Sequence, residues 1–251
     1  MSTNVLTRQA VSGTNAANHD GLTLRQAGLL VAFSMLIMTA VTPFAEFGVF
    51  HKLINAGNIE QTVQNILGHK GLFLAGIFLF LVNYILDVII AWGLYFLLAG
   101  ANRAVSLLAA WFRLVYTAIG LFSVLHLVTA FRLLNEPDYF TAFGSAQLHA
   151  QLKLLLNSFR WDWSMGLVFF GVHLILVGCL IYRSNYIPKI IGVLLVINGA
   201  AWIVDNLQPY LFPATHLEFL FITYFAELIL MLWLLVWGWK LPGASSLTMG
   251  Q

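Results

Sequence analysis

Five charged side chains stand inside stretches that are otherwise apolar: Glu46, Asp87, Arg113, Asp205 and Glu227. Two histidines, His126 and His173, and two asparagines, Asn83 and Asn198, join them. A charge near the centre of a bilayer costs about 2.5–3.5 kcal/mol even on the lenient insertion scale, so each must face the interior of a bundle or water. Arg113 stays ionised and needs an anion, and Asp87 and Glu227 are the anions at its depth. Were both ionised, the group would carry one surplus negative charge, relieved by protonating Glu227 or by charging His173. Such a group suits a proton relay, acid/base chemistry by His173 or Glu227, or the binding of a small ligand. It equally suits a structural clasp with no chemistry at all.

Counting along the apolar stretches places Asp87, Arg113, His173 and Glu227 near the middle of the membrane, with Asn83 and Asn198 about a turn away. An outer tier contains Glu46, His126, Arg160, Asp162 and Asp205. The two tiers predict a polar cavity that opens outward and closes before the cytoplasmic face. No His-x-x-x-His, Glu-x-x-His or Cys-x-x-Cys occurs, so there is no metal or haem motif and the cofactor is unknown. A metal on His173, Asp87 and Glu227 is chemically allowed. Ser123 and Ser164 lack a nucleophile elbow.

These side chains need helices of membrane-crossing length to hold them, and the composition supplies them. Of 251 residues, 60% are apolar and 9% charged, against about 45–50% and 25% in soluble domains. That excludes a soluble enzyme, a disordered regulator and a disulfide-stapled module. A net charge of +2 gives no basic excess for nucleic acid, and the single Cys179 can form no internal disulfide. The fold class is all-α: a polytopic integral membrane protein with six transmembrane helices and two amphipathic surface helices.

About 20 apolar residues cross the hydrocarbon, and six stretches qualify: 27–50, 72–98, 104–133, 163–182, 187–206 and 217–239. Pro43 should kink or end the first. Residues 51–70 and 138–159 carry apolar side chains at helical spacing and read as the two surface helices. Residues 1–25 read as a disordered tail without a signal peptide, 26–240 as the transmembrane domain, and 241–251 as a flexible tail. Basic residues at the span ends (Arg8, Arg25, Arg103, Arg183, Lys189 and Lys240) place both termini and the two tight turns in the cytoplasm. Glycine pairs seven residues apart, Gly93/Gly100, Gly171/Gly178 and Gly192/Gly199, predict close helix packing. Trp161, Trp163, Trp237 and Trp239 fit interfacial anchors.

The run Gly166 to His173 (GLVFFGVH), followed by Gly178 to Ser184 and Ile187 to Val193, resembles the bacterial six-span DUF4386 family, a domain of unknown function. Ala45-Glu46-Phe47, Asp87, Leu107 to Arg113, Asp205 and Ala226-Glu227-Leu228 are similar to the same pattern, which covers roughly residues 26–240. The resemblance implies a six-helix fold in the bacterial inner membrane and supplies no reaction. It adds weight to Asp87, Arg113, His173, Asp205 and Glu227. Three functions stay open: binding or transport of a small or lipophilic ligand, with lipid as the surrounding partner; an intramembrane enzyme; and a structural or sensory protein. The oligomeric state is not legible.

Overall fold

A computed structural model describes residues 21–213, 223 and 225–242, which form helices and the turns between them. The tail expected at residues 1–25 lies outside these residues up to residue 20, as does all but the first two residues of the one at 241–251. Helix α1 (Leu24–Pro43) starts at a capping box, in which Thr23 accepts from the Gln26 amide and the Gln26 side chain accepts from the Thr23 amide. Pro43 brings no amide to the helical ladder. The chain does not break there: it widens into a π-helical stretch, Phe44–Phe50, and regains α geometry in α2 (His51–Leu53). The expected kink at Pro43 is thus a change of helical winding within one 30-residue span, Leu24–Leu53.

Helix α3 (Ile59–Gly68) is capped by Asn58, whose side chain accepts from the Gln61 amide. It buries Val63 and Ile66 against α5 and α6 and leaves its polar face exposed. Helices α4 (Lys70–Leu98) and α5 (Arg103–Asn135) match the second and third predicted spans, joined by the tight turn at Ala99–Asn102 with Asn102 as cap.

Helix α6 (Pro137–Arg183) corrects the sequence reading. The surface helix expected at 138–159 and the span expected at 163–182 are one helix from Gly144 to Arg183. The stretch Phe159-Arg160-Trp161-Asp162-Trp163 contains no glycine or proline, so nothing stops the ladder there. The break falls instead at Gly144, with φ of 68°, a left-handed conformation that glycine adopts without strain. Trp163 is half-buried. It packs on Phe80 and Phe159 at 5.9 and 6.0 Å between ring centres, whereas Trp161 is 53% exposed.

Helix α7 (Lys189–Leu211) is the fifth span. Five helices among the described residues are long and apolar enough to cross a membrane. Of the sixth stretch, 217–239, the segment 217–224 lies outside the described residues apart from Thr223, and the remainder forms α8 (Phe225–Trp237). Each long helix packs against its neighbours in sequence, and α8 packs on both α7 and α1, which closes a ring. Large apolar side chains such as Phe33, Phe78, Trp111, Phe122 and Leu232 point outward, as lipid-facing surface requires.

One end of the ring gathers the start of α1, both tight turns and the end of α8. Arg25 stacks over Trp239 at 5.3 Å, Gly21 lies against Phe96, and the Tyr186 hydroxyl donates to the Leu97 carbonyl. Burial pushes the Tyr186 hydroxyl from 10.0 up to about 12. A raised phenol contributes its stability below pH 10 and loses it as pH rises through about 12. Tyr186→Phe is expected to lower stability by about 1 kcal/mol, read as a small fall in Tm in detergent that is absent in alkaline buffer above the shifted value.

Candidate functional site

Helices place polar groups on one face at four-residue spacing, and α4 and α5 use that spacing to aim Asn83 and Asp87 at Arg113. Arg113 Nε and Nη2 both donate to Asp87 Oδ1, at 2.9 and 2.5 Å. Asn83 Nδ2 donates to Asp87 Oδ2 at 3.4 Å, and the Thr42 hydroxyl donates to Asn83 Oδ1 at 2.6 Å. On its other side Arg113 Nη1 lies 3.2 Å from His173 Nε2, while His173 Nδ1 lies 2.8 Å from the Ala109 carbonyl oxygen. The guanidinium also stacks over Phe170 at 5.2 Å. One unbroken chain of polar contacts therefore ties α1, α4, α5 and α6 together. Asp87 lies 11 residues from the end of the 29-residue α4, about 16 Å at helical rise.

The partners of His173 fix its tautomer. A carbonyl only accepts, so Nδ1 carries the proton and donates to Ala109, and Nε2 accepts from Arg113. His173 is therefore neutral and is not the group that absorbs surplus charge, because its second nitrogen faces a guanidinium. Asp87 is 0%, Arg113 3% and His173 0% exposed. Among the described residues, every charge in this trio has a partner.

Glu227 stands apart from the trio, although the sequence groups them at one depth. Its Oε1 accepts from Asn198 Nδ2 at 3.3 Å, and it remains within electrostatic range of Arg113 and Asp87. Asn198 is fully buried, and among the described residues its Oδ1 has no hydrogen-bond partner.

The outer tier forms local pairs. His126 meets Asp162 at 2.9 Å between α5 and α6. Glu46, in the π-helical stretch, lies 3.9 Å from His51 and 3.8 Å from Arg160. Asp205 is half-buried on α7, two turns from Asn198. Ser164 donates to Asn206 at 2.8 Å at the same level, a link that neither residue type announces in the sequence. Among the described residues no three His, Cys, Asp or Glu side chains converge as a metal site would need.

Three cavities are lined by residues outside the buried trio. A cavity of about 580 Å³ opens between the α2–α3 segment and the N-terminal half of α6, lined by His51, Lys52, Asn55, Lys153, Asn157 and Arg160 among others. Two others, of about 450 and 400 Å³, are lined around Arg132 and Tyr139 and around Phe122 and Asp162. None of the three is lined by Asp87, Arg113, His173 or Glu227. The Asp87–Arg113–His173 trio is joined by its own hydrogen bonds, and the cavity of about 580 Å³ lies between the α2–α3 segment and α6. Sequence reasoning missed this convergence because Lys52 and Lys153 are a hundred residues apart.

Comparison with known proteins adds kinship. A family model described as Domain of unknown function (DUF4386) matches residues 30–238. An uncharacterized protein of Archaeoglobus fulgidus is 33% identical over 189 residues, which is 75% of this chain and 93% of that protein. No solved structure matches. The matched region contains the whole buried network and every residue named above as lining the outer cavity.

Proposed function

The chain belongs to the DUF4386 family, and from that premise we propose that it is a six-span membrane protein that binds a small molecule in the cavity at its outer end. The buried Asp87–Arg113–His173 network is the framework that holds the helices around that cavity. The observation that carries this reading is the separation of the two: Asp87, Arg113 and His173 are buried and hydrogen-bonded to one another, whereas about 580 Å³ of polar-lined space has none of them in its lining. That volume is in the range of ligand sites, about 300–1,000 Å³. The contacts of α8 with α1 and α7 support a sixth crossing, since the apolar stretch of sequence from Leu217 to Trp239 has the length a crossing needs. Six crossings agree with the gathering of the start of α1 and the end of α8 at one end. The basic tight turns at that end favour the cytoplasmic side, with the cavity facing outward across a prokaryotic plasma membrane, the bacterial inner membrane in the family the sequence resembles.

Native mass spectrometry of the full chain tests the proposal. Wild-type protein is expected to retain a co-purified molecule, and Asn157→Trp, which fills the cavity from one wall, to lose it while staying folded, with its Tm lowered by no more than the lost ligand accounts for. A wild-type protein that carries nothing, or a variant that retains the same molecule, would overturn the reading.

A second reading has one observation in its favour. The buried Asn198 Oδ1 lacks a donor, and an acid proton on Glu227 would supply it, which would make this pair a proton-holding site coupled to the ligand. Glu227→Gln, a permanent donor of the same shape, should then keep the fold and remove any pH dependence of ligand retention. Unchanged pH dependence would count against it.

A further inference from the structure

We propose that the outer cavity is a site for a phosphate-bearing anion held at the headgroup level of the bilayer. This rests on the preceding reading that the cavity is a ligand site, and it adds the ligand's chemistry.

Charge is the first support. The lining includes Lys52, Lys153 and Arg160 together with His51, and no Asp or Glu. In a chain with only 12 Lys and Arg, three of them line this one cavity. Among the described residues neither Lys52 nor Lys153 has a carboxylate within 4 Å, so both ammonium groups keep their donors for a ligand. The nearest carboxylate, Glu46, reaches Arg160 only at 3.8 Å, too long for a hydrogen bond. Arg160 therefore keeps donors for an oxyanion, for which its planar fork is well matched. Asn157 adds a neutral donor to the same lining.

Depth is the second support. Arg160 lies 23 residues from Arg183 along α6, about 35 Å at helical rise, and Lys153 about 45 Å. With Arg183 at the cytoplasmic edge of about 30 Å of hydrocarbon, both fall within or just beyond the opposite headgroup layer. The exposed Trp161 beside Arg160 marks the same boundary. Phosphate esters are the anions concentrated at that level, either on a lipid or free at the surface.

Thermal unfolding of the full chain in dodecyl maltoside distinguishes the sources. The probes are dioctanoyl phosphatidylglycerol, dioctanoyl phosphatidylcholine, glycerol 3-phosphate and inorganic phosphate. A rise in Tm with phosphatidylglycerol and with the free phosphates supports a site for the phosphate itself; a rise with phosphatidylglycerol alone supports an anionic lipid headgroup. Each cation near such a surface contributes about 1 kcal/mol, so Lys153→Gln is expected to weaken binding about five-fold and Lys153→Gln/Arg160→Gln about twenty-five-fold. Lys52→Gln, at an exposed side chain, provides the same five-fold test if the double variant folds poorly. Equal responses from wild type and Lys52→Gln or Lys153→Gln, an equal response to phosphatidylcholine, or no response to any anionic probe would overturn the inference. A neutral molecule found in the cavity would also overturn it while leaving the binding reading intact.

Discussion

Asp87→Ala is expected to lower stability by about 3–5 kcal/mol, because it strips the anion from an arginine that cannot lose its proton and is only 3% exposed. Arg113 donates twice to Asp87, and its remaining polar partner, His173, is neutral. The substitution also strands Asn83, whose amide otherwise donates to Asp87. The expected readout is little folded protein in detergent and a much lower Tm in whatever folds. Arg113→Met should have an effect of similar size through the uncompensated aspartate. The double variant Asp87→Leu/Arg113→Met removes both charges at conserved bulk and is expected to recover much of the lost stability, since a buried ion pair often does no better than apolar packing. Recovery of Tm together with ligand retention identifies the pair as framework. Recovery of Tm with loss of the co-purified ligand would place the pair in the binding machinery and contradict that role.

Gly178→Ala is expected to have the second large effect. A Cβ at Gly178 would stand 2.5 Å from the Gly192 carbonyl oxygen, and one at Gly192 would stand 2.6 Å from the Gly178 carbonyl oxygen and 2.8 Å from the Tyr182 amide nitrogen. Gly171 and Gly199 face each other in the same way one level further along α6 and α7. The obstructing atoms are backbone, so no rotamer change relieves them and the two helices must separate. Overpacking of this kind costs about 1–3 kcal/mol, and Gly178→Val should cost more. Gly100→Ala is the control: nothing lies within 4 Å of its Cβ position and its φ is not positive, so its Tm should stay near wild type. Equal Tm losses at Gly100 and Gly178 would show that helix contact is not the cause.

The seven-residue glycine spacing thus meets different fates in three helices. Gly171, Gly178, Gly192 and Gly199 form a mutual seam, and Gly93 admits Val31 of α1. Gly100 sits in a turn, and no described atom lies within 4 Å of its Cβ position. Spacing alone could not separate these cases, because a stripe is defined only while the helix continues, and α4 ends at Leu98. Gly120 escaped the pattern altogether, although the Tyr84 ring occupies the space its side chain would take.

Depth counting brought Asp87, Arg113 and His173 to one level, and they meet there because helical rise is regular over short distances. It also grouped Glu227 with them. Depth carries no information about azimuth, and Glu227 faces Asn198 instead. Thr42 and Phe170 were illegible as site residues, since a threonine before Pro43 and a phenylalanine in an apolar run are ordinary in a span. The second surface helix was misread because the apolar periodicity of residues 148–156 continues in phase into the span, and only the backbone at Gly144 shows where the helix begins. The outer cavity depends on one wall from residues 51–65 and another from 153–160, a juxtaposition that no local pattern encodes.

The most direct test of the division between framework and site is the density map of the full chain in lipid nanodiscs that contain phosphatidylglycerol. Ordered non-protein density should occupy the space between α3 and α6, within reach of Lys153 and Arg160, with Asp87, Arg113 and His173 in direct contact with one another and nothing between them. Density lodged among Asp87, Arg113, His173 and Glu227, with the outer cavity empty, would contradict that division.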